Sequence, residues 1–185
     1  AKIGCFNIES EAECENIASI ARQMGVVCHA ALRVNPNVAD PKTPDKTRTG
    51  STGTKFGVDI DRVAQFFRKY GHDPNLQLTG IHLHIGSPIY SADPYVHAIN
   101  KALELIDQLR ADGSTIKTLN MGGGFAADYE SSQSPTPADY AARIVPLLRP
   151  FVQDGGRIII EPGRMISGNA GALLTRVQYV KRGGG

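Results

Sequence analysis

Short apolar runs recur along this chain one helix apart, with apolar residues side by side, as in Ala30-Ala31-Leu32 and Ile158-Ile159-Ile160, rather than only at every second position. Strands of that kind are buried on both faces, which a parallel sheet covered by helices provides. The runs fall at residues 3–8, 30–34, 76–85, 116–121 and 157–161. Helical segments lie between them. Ser10-Glu11-Ala12-Glu13 is a capping box, followed by Ile17, Ile20 and Met24 at helical spacing and a stop at Gly25. Residues 61–70 form a short helix ending at Gly71, and residues 93–109 a strongly periodic one. Thr136-Pro137 supplies a cap and first-turn proline for a helix reaching about residue 151, which Pro146 should kink or restart. Residues 173–180 alternate and read as a different, partly exposed strand.

Strand–helix repetition predicts right-handed βαβ units and a parallel sheet. Two architectures satisfy it, a (β/α)8 barrel and a doubly wound open sheet. Five strands make only part of a barrel, whose usual size is about 250 residues. We therefore expect an internal piece of a longer enzyme, lacking both a barrel start and a following domain. Residues 35–54 form a long polar loop with three prolines and two glycines; loops of about 20 residues inside compact domains are usually functional or mobile.

Composition matters mainly for what it excludes. With 41% hydrophobic and 21% charged residues, the chain is ordinary globular material. A net charge of +2, with basic residues scattered, gives no field of the kind nucleic acid requires. No run of about 18 apolar residues offers a membrane span. Cys5, Cys14 and Cys28 are too widely spaced for a C-x-x-C site, and their odd number argues against a disulfide framework. Free thiols in a reducing compartment, the cytoplasm, are the expectation.

Four clusters sit where strands end. They are Arg33 with Asn35, His82-Leu83-His84-Ile85-Gly86-Ser87, Gly122-Gly123-Gly124-Phe125, and Glu161-Pro162-Gly163-Arg164. A three-glycine turn after a buried strand lets backbone N–H groups crowd onto an anion, usually a phosphate. The last cluster adds an acid and an arginine, so the pair describes a phosphorylated cofactor held by its tail and touched by a carboxylate. His82 and His84 share a face of their strand and could bind a metal, but no acidic third ligand is near in sequence; no metal is expected. Each cluster also has a plainer reading: a tight βα connection, hydrogen-bonded structural histidines, an exposed ion pair. The glycines do not form G-x-G-x-x-G, which weakens a dinucleotide reading.

Taken together and in order, Lys55-Phe56-Gly57, His84-Ile85-Gly86-Ser87, Gly122-Gly123-Gly124-Phe125 and Glu161-Pro162-Gly163-Arg164 resemble the barrel domain of the diaminopimelate, ornithine and arginine decarboxylases, pyridoxal-phosphate (PLP) enzymes of the alanine-racemase type. The resemblance runs over nearly the whole chain, from Phe6-Asn7-Ile8-Glu9-Ser10-Glu11 onward. Arg33-Val34-Asn35-Pro36-Asn37-Val38 and the long loop into Ser51-Thr52-Gly53 resemble the members acting on diaminopimelate.

The resemblance implies a partial (β/α)8 barrel comprising about its last five strands. Residues 1–168 would be an incomplete PLP-binding domain and 169–185 the beginning of a C-terminal β domain. It implies decarboxylation of meso-2,6-diaminopimelate to lysine and CO2, an amino-acid substrate, and a homodimer whose second subunit completes the site. Gly122, Gly123 and Gly124 would present backbone donors to the PLP phosphate, with Ser87 adding a hydroxyl. Arg164 would lie near the phosphate and the substrate carboxylate, and Glu161, followed by Pro162 and Gly163, would face the pyridine nitrogen. His84 would stack on the ring face as the catalytic contact, with Arg33 as a further polar neighbour.

Three features depart from the family. No lysine here has the Tyr-Ala-x-Lys context of the one that binds the cofactor, so the chain alone should be inactive. Pro88 and the loop tip Lys46-Thr47-Arg48-Thr49 also differ from the usual pattern. Alternatives are an ornithine, arginine or carboxynorspermidine decarboxylase, a non-catalytic PLP-binding barrel homologue, or a phosphate-sugar barrel without PLP.

Overall fold

The computed structural model describes residues 3–51, 53–129 and 134–181. Thr52 of the Ser51-Thr52-Gly53 motif and the closing Gly183-Gly184-Gly185 lie outside them. Among the described residues there are six parallel strands: β1 (Phe6–Ile8), β2 (Cys28–Asn35), β3 (Val58–Asp59), β4 (Leu76–His82), β5 (Thr118–Asn120) and β6 (Arg157–Ile159). The sheet runs β1-β2-β4-β5-β6, with the two-residue β3 attached to β2. This order advances in one direction along the sequence. A doubly wound sheet would reverse direction at a switch point, whereas a barrel adds each strand beside the last. The sheet is therefore a barrel segment.

Helix α1 (Glu11–Met24) begins where Ser10 Oγ accepts the Glu13 N–H, while the Glu13 carboxylate accepts from Glu9 N, one residue before the cap. It ends at Gly25, whose φ of 64° is the left-handed conformation that glycine adopts freely. Helix α2 (Val63–Tyr70) follows a 3-10 turn at Ile60–Arg62, and α3 (Asp93–Ala111) buries Tyr95, Ala98, Ile99, Ala102, Leu105, Ile106 and Leu109 along one stripe. Helices α1 and α2 both pack on β4, α3 on α4 (Pro137–Gln153), and α4 on β6. The core between helices and sheet centres on Leu32, Leu76, Ile81, Leu119, Ile99 and Ile106.

Several expected boundaries move. Strand β4 stops at His82, three residues short, because residues 83–87 turn away to form a loop. Strand β6 ends at Ile159, before Glu161. Helix α4 neither breaks nor restarts at Pro146: it is continuous, with Pro146 and Pro150 inside it. Both prolines are exposed, as is Ala142, so water can satisfy the carbonyls they leave unbonded. Residues 173–180 form no strand, and their apolar side chains are exposed, because no partner strand lies beside them. A short helix, α5 (Gly163–Ser167), was not expected from the sequence.

Candidate functional site

The strand register places three polar side chains in one row near the C-terminal ends of the strands. Arg33 on β2 is paired with His82 on β4, and His82 with Asn120 on β5. His82 and Asn120 are each 5% exposed. Polar groups so deep inside a barrel need partners, and Asn120 finds its own at the row's upper edge. Asn120 Nδ2 donates to Glu161 Oε1 at 2.8 Å, and Asn120 Oδ1 accepts the Gly122 N–H at 2.9 Å. One side chain thus ties the Glu161 carboxylate to the start of the glycine turn.

That turn is bare for a steric reason. A Cβ on Gly122 would stand 2.1 Å from the Leu83 carbonyl oxygen, on Gly123 2.2 Å from that of Glu161, and on Gly124 2.0 Å from that of Gly86. Gly122 and Gly124 also have φ of 69° and 94°. No side chain fits at any of the three. Beneath them, Tyr95 of α3 donates from Oη to the Gly123 carbonyl at 2.9 Å and stacks on Phe125, with Tyr140 of α4 edge-on to both. The aromatic cluster holds the turn from below. Two of the three amides already donate within the protein, Gly122 to Asn120 and Gly123 to His84 Nδ1 at 3.3 Å.

A cleft of ≈ 430 Å³ opens above the row, lined by Arg33, Lys46, Thr47, Thr49, Phe56, His82, His84, Ser87 and Glu161. Arg33, His84, Ser87 and Glu161, which the sequence nominated from three separate strand ends, meet there. Arg164, exposed on α5, reaches the same rim: its Nε donates to Ser87 Oγ at 3.1 Å and its Nη1 to Tyr129 Oη at 3.2 Å. Pro162 caps α5, and the Gly163 N–H returns to the Glu161 carbonyl at 2.8 Å, fixing the turn that carries the acid. Asn35 does not join the cleft. It is buried at the base of the long loop, donating to Ser51 O and Thr54 Oγ1 and accepting from Asn37 N.

The long loop is the cleft's outer wall, and it is pinned. The buried Asp40 accepts the amides of Lys42 and Tyr90, Thr43 Oγ1 donates to Pro88 O, and Thr49 Oγ1 to His84 O. Thr47 O accepts the Ser87 amide at 3.2 Å. The Ser87-Pro88 peptide is cis. Pro88 therefore sits in a loop-to-loop contact away from the row.

Charge in the cleft is balanced. Arg33 pairs with Glu9 and lies 4.9 Å from the Phe56 ring centroid, while Glu9 Oε2 accepts the Gly57 N–H at 3.2 Å. This explains Lys55-Phe56-Gly57 as a clamp on the arginine. Burial holds the His82 imidazole neutral, lowering its pKa to about 4 against the pull of Glu161, with Arg33 and His84 adding to the shift. Burial and Arg33 lower His84 in the same direction. Among the described residues no group of three or more His, Cys, Asp or Glu side chains could hold a metal ion. No helix of the described residues is long and apolar enough to cross a membrane.

The sequence reading missed Glu9 and Asn120. A signal for Asn120 existed, a lone amide inside the strand run Ile116 to Met121; Glu9 gave none, since it reads as a capping-region acid.

Residues 1–168 match the family model described as pyridoxal-dependent decarboxylase, pyridoxal binding domain. Diaminopimelate decarboxylase of Haemophilus influenzae is 39% identical over 97% of this chain and 43% of its own length. That of Vibrio cholerae is 40% identical over 97% of this chain and 42% of its own. The chain thus spans about two fifths of the length of these relatives. The crystal structure of diaminopimelate decarboxylase from Helicobacter pylori complexed with L-lysine superposes with a TM-score of 0.78 at 32% identity, covering 86% of this chain and 40% of that one.

Proposed function

The chain belongs to the pyridoxal-dependent decarboxylases through their pyridoxal binding domain, and from that premise we propose that it is the cofactor-holding part of an enzyme converting meso-2,6-diaminopimelate to lysine and CO2. The observation that carries this reading is the meeting, in one cleft, of Glu161, His84 and Ser87, with Arg164 bonded to Ser87 at its rim.

These residues fit pyridoxal phosphate. The Ser87 hydroxyl and Arg164 guanidinium suit a phosphate, and the glycine turn packs against the loop that carries Ser87. Glu161, whose Oε1 is held by Asn120, leaves Oε2 for the pyridine nitrogen. His84, which accepts the Gly123 amide at Nδ1 and is kept neutral by burial, is suited to lie against a ring face. Arg33, fixed by Glu9 and Phe56, is a polar neighbour in the cleft wall. Pyridoxal phosphate, when bound, supplies a protonated ring that takes up the electron pair left by departing CO2. The protein's part is to keep that nitrogen protonated, which a carboxylate at Glu161 does.

In this reading the lysine that binds the cofactor covalently lies outside residues 1–185, a second subunit completes the site, and the enzyme works in the cytoplasm on a free amino acid. Residues 169–185 lead into a second domain, which the end of the family match at residue 168 supports. The test is release of CO2 by the protein, produced with the rest of its barrel and supplied with pyridoxal phosphate. Release from meso-diaminopimelate is expected; release from ornithine or arginine instead would overturn the substrate.

A further inference from the structure

His82 is the most deeply buried titratable side chain of the row and the one whose bonding is incomplete. Both ring nitrogens are buried without a hydrogen-bond partner, and Nε2 lies 3.5 Å from Glu161 Oε1, just beyond bonding length. A buried N–H left unpaired costs about 1–3 kcal/mol, so an apolar residue of similar size would serve better if packing were the only demand. The polar and charged groups facing His82 from the neighbouring strands are Arg33 on β2, Asn120 on β5, His84 just past β4 and Glu161 beyond β6. Arg33 is a cation already bonded to Glu9 and cannot accept a proton. Asn120 Oδ1 is occupied by the Gly122 amide. Glu161 Oε1 is the acceptor left, and a small rotation of the carboxylate closes the gap.

We propose that His82 is a positioning residue for Glu161: with Asn120 it fixes Oε1 from below, so that Oε2 alone is presented to the ring nitrogen. The inference rests on the pyridoxal reading above and deepens it. Two neutral donors on one oxygen set the plane of the carboxylate without adding a counter-charge that would compete with the pyridinium. A protonated imidazole at the same place would pair with Glu161 as a salt bridge and weaken its hold on the ring.

Two measurements on the full chain test this. The first is long-range 1H–15N correlation of the histidine rings. It should show His82 as the neutral Nε2–H tautomer throughout pH 5–8; an imidazolium or the Nδ1–H tautomer overturns the proposal, and this result needs no variant to fold. The second is binding of pyridoxine 5′-phosphate, which lacks the aldehyde that reacts with lysines, to the wild type, His82→Leu, His82→Gln and Glu161→Gln across the same pH range. A carboxylate that has lost one of two donors is free to turn away from the ring nitrogen. His82→Leu should therefore weaken binding about tenfold. His82→Gln, which retains an N–H, should restore it. If the wild type binds and Glu161→Gln weakens it while His82→Leu matches the wild type in strength, the positioning role is overturned and the pyridoxal reading stands. If the wild type does not bind, the pyridoxal reading fails and the inference with it.

Discussion

At His82, burial holds the pKa near 4 where an unfolded chain would have about 6.5. As pH falls below 6.5 the unfolded state takes up a proton that the folded state refuses, so stability is lost on acidification between about 6.5 and 4. We predict that urea unfolding of the wild type at pH 5 shows a loss relative to pH 7.5 that His82→Leu lacks, by about 2 kcal/mol. The glycines make a different demand. Gly123 has an ordinary negative φ, so only the Glu161 carbonyl excludes a side chain there. Gly123→Ala should cost about 3 kcal/mol or more, read as a shifted urea midpoint. The sequence pointed to this turn through its chemistry, as backbone open to an anion. It could not reveal that neighbouring strand ends press on the same three positions from the other side, because those carbonyls come from residues 39 and 38 positions apart along the chain.

Among elements, helix α4 shows how far local rules reach. Its start was legible: Thr136 Oγ1 accepts from Asp139 N, the Asp139 carboxylate accepts from Thr136 N, and Pro137 opens the first turn. Its middle was not. Ile144, Leu148 and Phe151 bury one stripe, and that packing carries the helix through Pro146 on the opposite face. Since Pro146 forfeits a hydrogen bond, Pro146→Ala should raise stability, by about 2 kcal/mol after allowing for the freer unfolded chain, in the same urea assay. Strands β4, β5 and β6 were legible as apolar runs but read too long, because Ile85 and Met121 are buried apolar residues of loops and Ile160 lies exposed beyond the ladder, whereas β2 extends past the expected 30–34 to Cys28–Asn35. The loop at residues 35–54 was legible only as long and polar; its attachment through Asp40, Thr43 and Thr49 depends on partners 35 to 50 positions away.

For the whole molecule, strand order settles what alternation left open, and it leaves an unfinished sheet. At the β6 edge a groove of ≈ 360 Å³ lies among Met121, Phe125, Tyr140, Ile144, Ile158 and Met165, and Ile160 is 53% exposed. Parallel edges with apolar surroundings invite association. We therefore expect the 185-residue chain to sediment as concentration-dependent oligomers; a monodisperse monomer melting cooperatively would count against an open barrel. Family membership and the cleft together make one claim, that a phosphate and a protonated ring are held at once by opposite ends of the same site. The most direct check is calorimetric titration of the protein with pyridoxine 5′-phosphate, repeated with Glu161→Gln and with Arg164→Gln. Saturable one-to-one binding, weakened at least about tenfold by each substitution separately, is the expected result. Binding that is absent, or indifferent to both changes, would mean that Glu161 and Arg164 hold the fold together and nothing else.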